Sequence, residues 1–161
     1  MFLPDLLKGK RILITGGGTG LGKSMGKRFV ELGAELVICG RREKVLEETA
    51  WELMAGAPGP VTWQVCDIRD AAAVESMVEN IWAERPLDAL VNNAAGNFIA
   101  RSETLSPRAV DAVLGIVLHG SAYCTLACGK RWLAEGRKAN VLSIVTTYAW
   151  TGRSEEHTSE L

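Results

Sequence analysis

The chain has 161 residues, 47% of them apolar, and a formal net charge of −1. That length supports one domain with a sizeable core, and the balanced charge gives no electrostatic footing for nucleic acid or an anionic membrane surface. Residues 1–8 are too short and interrupted for a signal peptide and no apolar run approaches membrane-spanning length, so a cytoplasmic setting without membrane contact is the default expectation.

Residues 11–15 read as a strand that breaks into glycines and restarts as a helix over 20–32, with Leu21, Met25, Phe29 and Leu32 on its apolar face. Glycine lets the backbone turn sharply and lets a diphosphate approach the amides, while the helix start offers unpaired N–H groups and a positive dipole end. Gly17 to Gly22 followed by Lys23 and Ser24 also satisfies the P-loop expression. At this point a dinucleotide turn, a P-loop and an ordinary glycine-rich loop all stand.

A second strand is expected at 35–39, a charge-rich helix at 41–54, a Gly/Pro turn at 56–60 and a third strand at 61–65. Asp70 caps a helix over 71–83, and 88–91 form the fourth strand. Strands alternating with helices of this length mean βαβ units and a parallel sheet covered on both faces. The loop 92–99 then lies at the carboxyl end of strand four, where ligands sit in open α/β sheets. Ser106 as cap and Pro107 at the first helical position open a long helix to about residue 133, and 140–145 form a fifth strand leading to Thr146, Thr147 and Tyr148.

Cys39, Cys66, Cys124 and Cys128 form no Cys-x-x-Cys pair and have no histidine at metal spacing. They read as small buried hydrophobes in a reduced compartment, with no metal site. With only His119 and His157 present, a Ser-His-Asp triad is discounted.

Residues 153–161 lack periodicity, and their nine residues match the in-frame translation of a common sequencing-library adapter, AGA TCG GAA GAG CAC ACG TCT GAA CTC. The expectation is a native domain over 1–152 followed by a non-native tail. Codons for that tail found continuous in genomic DNA would overturn it.

Thr15-Gly16 with Gly20 and Gly22, together with Asn92-Asn93-Ala94-Ala95-Gly96, resemble the turn and the Asn-rich loop of the short-chain dehydrogenase/reductase family. The two motifs fall on successive elements across most of 10–150, and a P-loop protein has no use for the second. Within that family the chain is most similar to the 2,4-dienoyl-CoA reductase group, through Asn97-Phe98-Ile99 after the glycine, the run 103–107, and Leu142-Ser143-Ile144 leading to Thr147-Tyr148-Ala149. The resemblance implies a Rossmann-like, doubly wound parallel α/β sheet of order 3-2-1-4-5, C-terminal strands and helices missing from this chain, an acyl-CoA thioester substrate, and a homotetramer for full-length relatives.

It also implies a cofactor seat built from Thr15, Gly16, Gly18, Thr19, Gly20, Leu21, Gly22, Arg41, Asp67, Asn93, Ala94, Ala95 and Gly96. The second strand ends Cys39-Gly40-Arg41-Arg42, two guanidiniums where an NAD site usually keeps a carboxylate, which favours NADP over the alternative of arginines that merely start a solvated helix. Asp67 takes the place of the family's adenine-contacting aspartate, or is a helix-entry residue. Tyr148 and Asn97 stand where the family places donors to the thioester oxygen, and Thr146 where many members place a catalytic serine. Read from residue type alone, the alternatives are a packing aromatic for Tyr148, a turn former for Asn97 and an ordinary strand hydroxyl for Thr146.

His119 replaces the family's helix asparagine, and the ribose-binding lysine belongs beyond Tyr148. The chain as it stands is therefore expected to bind NADP poorly and to lack turnover. A short-chain enzyme for another substrate (a 3-oxoacyl thioester, alcohol or sugar) and a non-catalytic NADP-binding protein are the competing readings.

Overall fold

Five apolar segments build the sheet. In the computed structural model, which describes residues 2–56, 59–97 and 100–146, strands β1 (Arg11–Thr15), β2 (Glu35–Gly40), β3 (Val61–Val65), β4 (Ala89–Asn92) and β5 (Asn140–Ser143) lie parallel in the order 3-2-1-4-5. Successive side chains of a strand point to opposite faces. Leu13, Val37 and Leu90 therefore join one core cluster, and Ile12, Ile14, Leu36 and Ile38 join another. Helices α1 (Gly20–Glu31) and α2 (Glu43–Ala55) cover the second face through Val30, Leu46, Ala50 and Leu53. On the first face α3 (Ala71–Glu84) and α5 (Ser121–Ala134) pack through Val74, Ile81, Cys124 and Trp132. This is the expected doubly wound architecture.

The caps read from sequence form as expected. Asp70 accepts the Ala72 and Ala73 amides at 2.9 and 3.1 Å, and Ser106 accepts the Ala109 amide at 3.2 Å with Pro107 opening α4 (Pro107–Leu114). Most boundaries fall within one residue of expectation, and three features differ by more. α2 starts at Glu43, which leaves Arg41 and Arg42 on the connection from β2. β5 ends at Ser143, although the Ile144 amide still donates to Asn92 O at 2.9 Å.

The third difference lies in the long helix, which widens into a π-type turn over Gly115–Gly120 before continuing as α5. There it crosses the segment after β3 at close range. A Cβ on Gly120 would lie 2.6 Å from the Ile68 side chain, and the stem of Arg69 lies 3.7 Å from the corresponding point on Gly115. A one-residue slip in helical register accommodates such crossings and recurs near functional sites. The continuous span Pro107–Ala134 has 28 residues and is long and apolar enough to cross a membrane by length and composition. That corrects the expectation that no such run exists. One side of it is in the core through Cys124, Ala127, Cys128 and Trp132, and Trp132 donates its indole N–H to Leu87 O at 2.7 Å.

All four cysteines are free and buried, within the cluster under α3 and α5. Burial pushes every one of their thiols up: Cys66 to about 11, Cys124 and Cys128 to about 12, and Cys39 well above its ordinary value. A proton held more tightly in the folded than in the unfolded chain makes stability fall as pH rises from the unfolded thiol value through the folded one. Urea unfolding midpoints are therefore expected to decline from about pH 9 upward. An aromatic disulfide reagent at pH 8 should react with all four thiols in denaturant and with few in its absence; rapid reaction of the folded chain would contradict this.

Candidate cofactor cleft

The carboxyl ends of β1, β2, β3 and β4 open onto a cleft of about 350 Å³. Its floor begins where β1 ends. Gly16 turns the chain at φ +66°, in the left-handed region that suits glycine, while its amide still donates to Cys39 O at 2.8 Å. The chain then passes Gly18 and Thr19 and enters α1, whose first residue is Gly20. Gly22 is buried against the turn: a Cβ there would overlap the Gly16 carbonyl oxygen and lie 2.6 Å from Asn93 Nδ2.

The β4 loop is stitched to this turn. Thr15 Oγ1 accepts the backbone amides of Asn93 and Ala94, each at 3.0 Å, and lies 3.4 Å from Val91 O, to which it donates. Asn93 Nδ2 donates to Thr15 O at 3.0 Å and Gly16 O at 3.3 Å. Thr15 is buried, so its part is to fix the relative height of the two loops.

Gly16, Gly18, Thr19, Leu21, Arg41, Asp67, Asn93, Ala94 and Ala95 all line the cleft. Gly20 and Gly22 shape the turn beneath it. Gly96 packs close to Ile116, with only 2.7 Å between the site of a Cβ and the Ile116 Cδ1, and Ile116 itself reaches the cleft. Asn97 and Thr146 are exposed, on the segments that follow β4 and β5, which are paired neighbours. Tyr148 lies outside the described residues.

Charge is divided across the opening. Arg41 and Arg42 line the β2 side, and Asp67 the β3 side. Asp67 Oδ1 accepts from the Arg69 amide at 3.1 Å and from Arg69 Nε at 2.9 Å. These hydrogen bonds, followed by the attraction of Arg69 and Arg41, hold the Asp67 carboxyl below the usual carboxylate range against a smaller desolvation penalty. It thus stays ionised, with both oxygens paired to Arg69, Oδ2 accepting from Arg69 Nε at 3.0 Å and from Nη2. Its contribution to stability is present above about pH 4 and is lost only as pH falls through the depressed value.

Sequence reasoning did not anticipate several wall residues: Val45 and Leu46 from α2, Cys39, Cys66 and Ile68 from strand ends, and Ile116 from the long helix. The position of Leu46 on the buried stripe of α2 is a signal that helical periodicity offers. For Ile116 no local signal exists, because it depends on where the helix crosses. The cleft fits the adenosine half of a dinucleotide in volume and in chemistry: a Cβ-free turn at a helix start for a diphosphate, guanidiniums for a further phosphate, and a carboxylate for an amine. Among the described residues no group of three or more His, Cys, Asp or Glu side chains could hold a metal ion.

The profile of the short chain dehydrogenase family matches residues 10–156. An uncharacterized oxidoreductase of Caenorhabditis elegans is 44% identical over 152 residues, which are 92% of this chain and 48% of that protein. A Bacillus subtilis protein named probable 2,4-dienoyl-CoA reductase is 41% identical over 142 residues, 88% of this chain and 56% of its own length. Among solved structures, a short chain dehydrogenase from Bacillus anthracis superposes with a TM-score of 0.84 at 41% identity, covering 89% of this chain and 60% of that one. The chain spans about half the length of the relatives it matches.

Proposed function

Because the chain belongs to the short chain dehydrogenase family, we propose that it is the cofactor-binding part of an NADPH-dependent reductase of 2,4-dienoyl-CoA thioesters, the intermediates of unsaturated fatty acid breakdown. The observation that carries the cofactor choice is the pair Arg41 and Arg42 at the end of β2, where both line the cleft and no carboxylate stands for ribose hydroxyls. The substrate class is supported by the similarity to relatives that bear that name.

The residues of the chain divide the work. The glycine turn and the start of α1 hold the diphosphate, Arg41 and Arg42 the 2′-phosphate, and Asp67 the adenine amine. When bound, the reduced nicotinamide supplies a hydride to the far end of the conjugated thioester. Negative charge then gathers on the thioester oxygen, and the Asn97 amide and Tyr148 phenol are the donors assigned to it, with Thr146 as a supporting hydroxyl. Donors set in advance stabilise that charge without reorganising. Exposed Leu114, Val117, Leu118 and Leu126 along the long helix support assembly of the longer protein into the homotetramer expected from its resemblance.

Removing both guanidiniums tests the cofactor choice. In the R41A/R42A chain, affinity for 2′-phospho-ADP-ribose measured by NMR titration is expected to fall about 10- to 100-fold, the loss of charge-assisted bonds, while ADP-ribose binds as before. Equal losses for both ligands would refute the NADP reading. For the substrate, downstream sequence carrying a Ser-x-x-x-Lys pair supports the dienoyl-CoA reading, and a Tyr-x-x-x-Lys pair supports ketone or alcohol chemistry instead.

A further inference from the structure

Thr49 sits in the interior of α2, 3% exposed, in line with Leu46, Ala50 and Leu53 on the buried face. A threonine inside a helix commonly returns its hydroxyl to a carbonyl one turn earlier. Here the hydroxyl donates at 2.8 Å to the carbonyl oxygen of Gly18, 31 residues away in the glycine turn. Neither the sequence motifs nor the chemistry above uses this residue.

Gly18 is a weak point in such a turn. With no Cβ its peptide can rotate at little cost, and the direction of that peptide decides which group faces the cleft. The described residues contain no cis peptide bond, so the 18–19 peptide is planar and trans and its C=O and N–H lie on opposite edges. Holding the Gly18 carbonyl on α2 therefore turns the Thr19 N–H to the opposite side. Gly18 and Thr19 both line the cleft, and Val45 and Leu46 back the same glycine at 3.4 and 3.2 Å from where its Cβ would be.

We infer that Thr49 is a positioning residue for the diphosphate: by fixing the Gly18 carbonyl it presents the Thr19 amide as an anion donor. This rests on the reading of the cleft as a dinucleotide seat. It predicts that the hydroxyl matters for ligands with a diphosphate and is indifferent for the adenosine end.

The 161-residue chain and its T49V, T49A and T49S variants would be titrated by NMR with 2′-phospho-ADP-ribose, which carries the diphosphate, and with adenosine 2′-phosphate, which lacks it. T49V and T49A are expected to bind the first ligand about tenfold more weakly, the worth of one well-placed hydrogen bond, and the second within about twofold of the wild type. T49S, which keeps the hydroxyl, should bind both as the wild type does. T49A carries the comparison if valine impairs folding, since alanine suits a helix interior. Unchanged binding of both ligands in T49V and T49A, equal loss of both, or a T49S that behaves like T49A would each overturn the assignment of Thr49. A wild-type chain that binds neither ligand would overturn the nucleotide reading itself, and the assignment with it.

Discussion

Replacing Gly22 by alanine is expected to destabilise the chain by about 2–4 kcal/mol and to abolish measurable binding of 2′-phospho-ADP-ribose. The new methyl would occupy space already filled by the Gly16 carbonyl oxygen, and would press within 2.6 Å of Asn93 Nδ2. Neither neighbour can yield cheaply. The carbonyl belongs to the turn itself, and the amide bonds Thr15 O and Gly16 O. Relief means moving α1 away from the turn or breaking the stitch between β1 and β4. Overpacking costs about 1–3 kcal/mol, and each hydrogen bond lost adds about 1. Two other glycines serve as controls. Gly129 lies within α5 with nothing within 4 Å of a Cβ, so G129A should be neutral or stabilising by up to about 1 kcal/mol. Gly20 also has open space but sits at φ +55°, so G20A should cost about 1–2 kcal/mol through backbone strain alone. Urea melts of the three variants check the ranking, and a G22A chain as stable as the wild type would refute the packing argument.

Arg11→Met is the second large effect, expected to lower stability by about 2–4 kcal/mol with no change in the ligand cleft. Arg11 opens β1 at the opposite end of the sheet and is only 1% exposed. Its Nε lies 2.6 Å from Glu35 Oε1 and its Nη2 2.5 Å from Glu84 Oε2, while Nη1 donates to Ile81 O at 2.9 Å and also to Arg85 O. The last two carbonyls belong to the C-terminal end of α3, where a positive charge also suits the helix dipole. Methionine fills much of the volume but supplies no donor: Arg85 O loses its Arg11 partner and Glu35 one of its two guanidiniums, while Ile81 O still accepts the Arg85 amide at 3.1 Å and Glu35 keeps Arg85 Nη2 at 2.6 Å. Glu84 is 58% exposed, so water replaces most of what its pair contributes. The exposed pair Lys44–Glu48, 3.9 Å apart, provides the contrast: K44A should change stability by less than about 0.5 kcal/mol. A drop in urea midpoint at constant slope is the expected signature for R11M. A midpoint within error of the wild type would show that the network contributes nothing net.

The elements that local rules govern were legible in the chain. The short apolar runs in residues 11–15 and 35–39 gave two strands, buried on both faces, whose side chains split between two cores. Asp70, Ser106 and Pro107 marked helix starts because capping is a contact over two or three residues. The cleft was legible wherever a motif names a backbone need, as at Gly16 and Gly22. What stayed hidden depends on residues brought together from far apart. Arg11 reads as an ordinary strand residue until Glu84 and Ile81 arrive beside it, 73 and 70 residues later. Thr49 reads as a helix residue until the glycine turn packs on α2, and the π-type turn follows from how the long helix crosses Ile68 and Arg69. The arginines after β2 were found through their charge, though not their conformation, since α2 begins only after them.

The strand order carries a consequence for the birth of the protein. β1 sits at the middle of the described sheet, yet one of its two flanks is completed by β4, made only after β2 and β3. About 70 residues separate them, so a ribosome adding roughly 5–20 residues per second leaves Ile12, Leu13 and Ile14 without that neighbour for on the order of 4–14 s. During that interval a strand that ends fully buried in the sheet has one open ladder. Pairing of β1 with β2 and packing of α1 over them can shelter part of it before β4 is made, which leaves the β4-facing edge of β1 as the last to be covered.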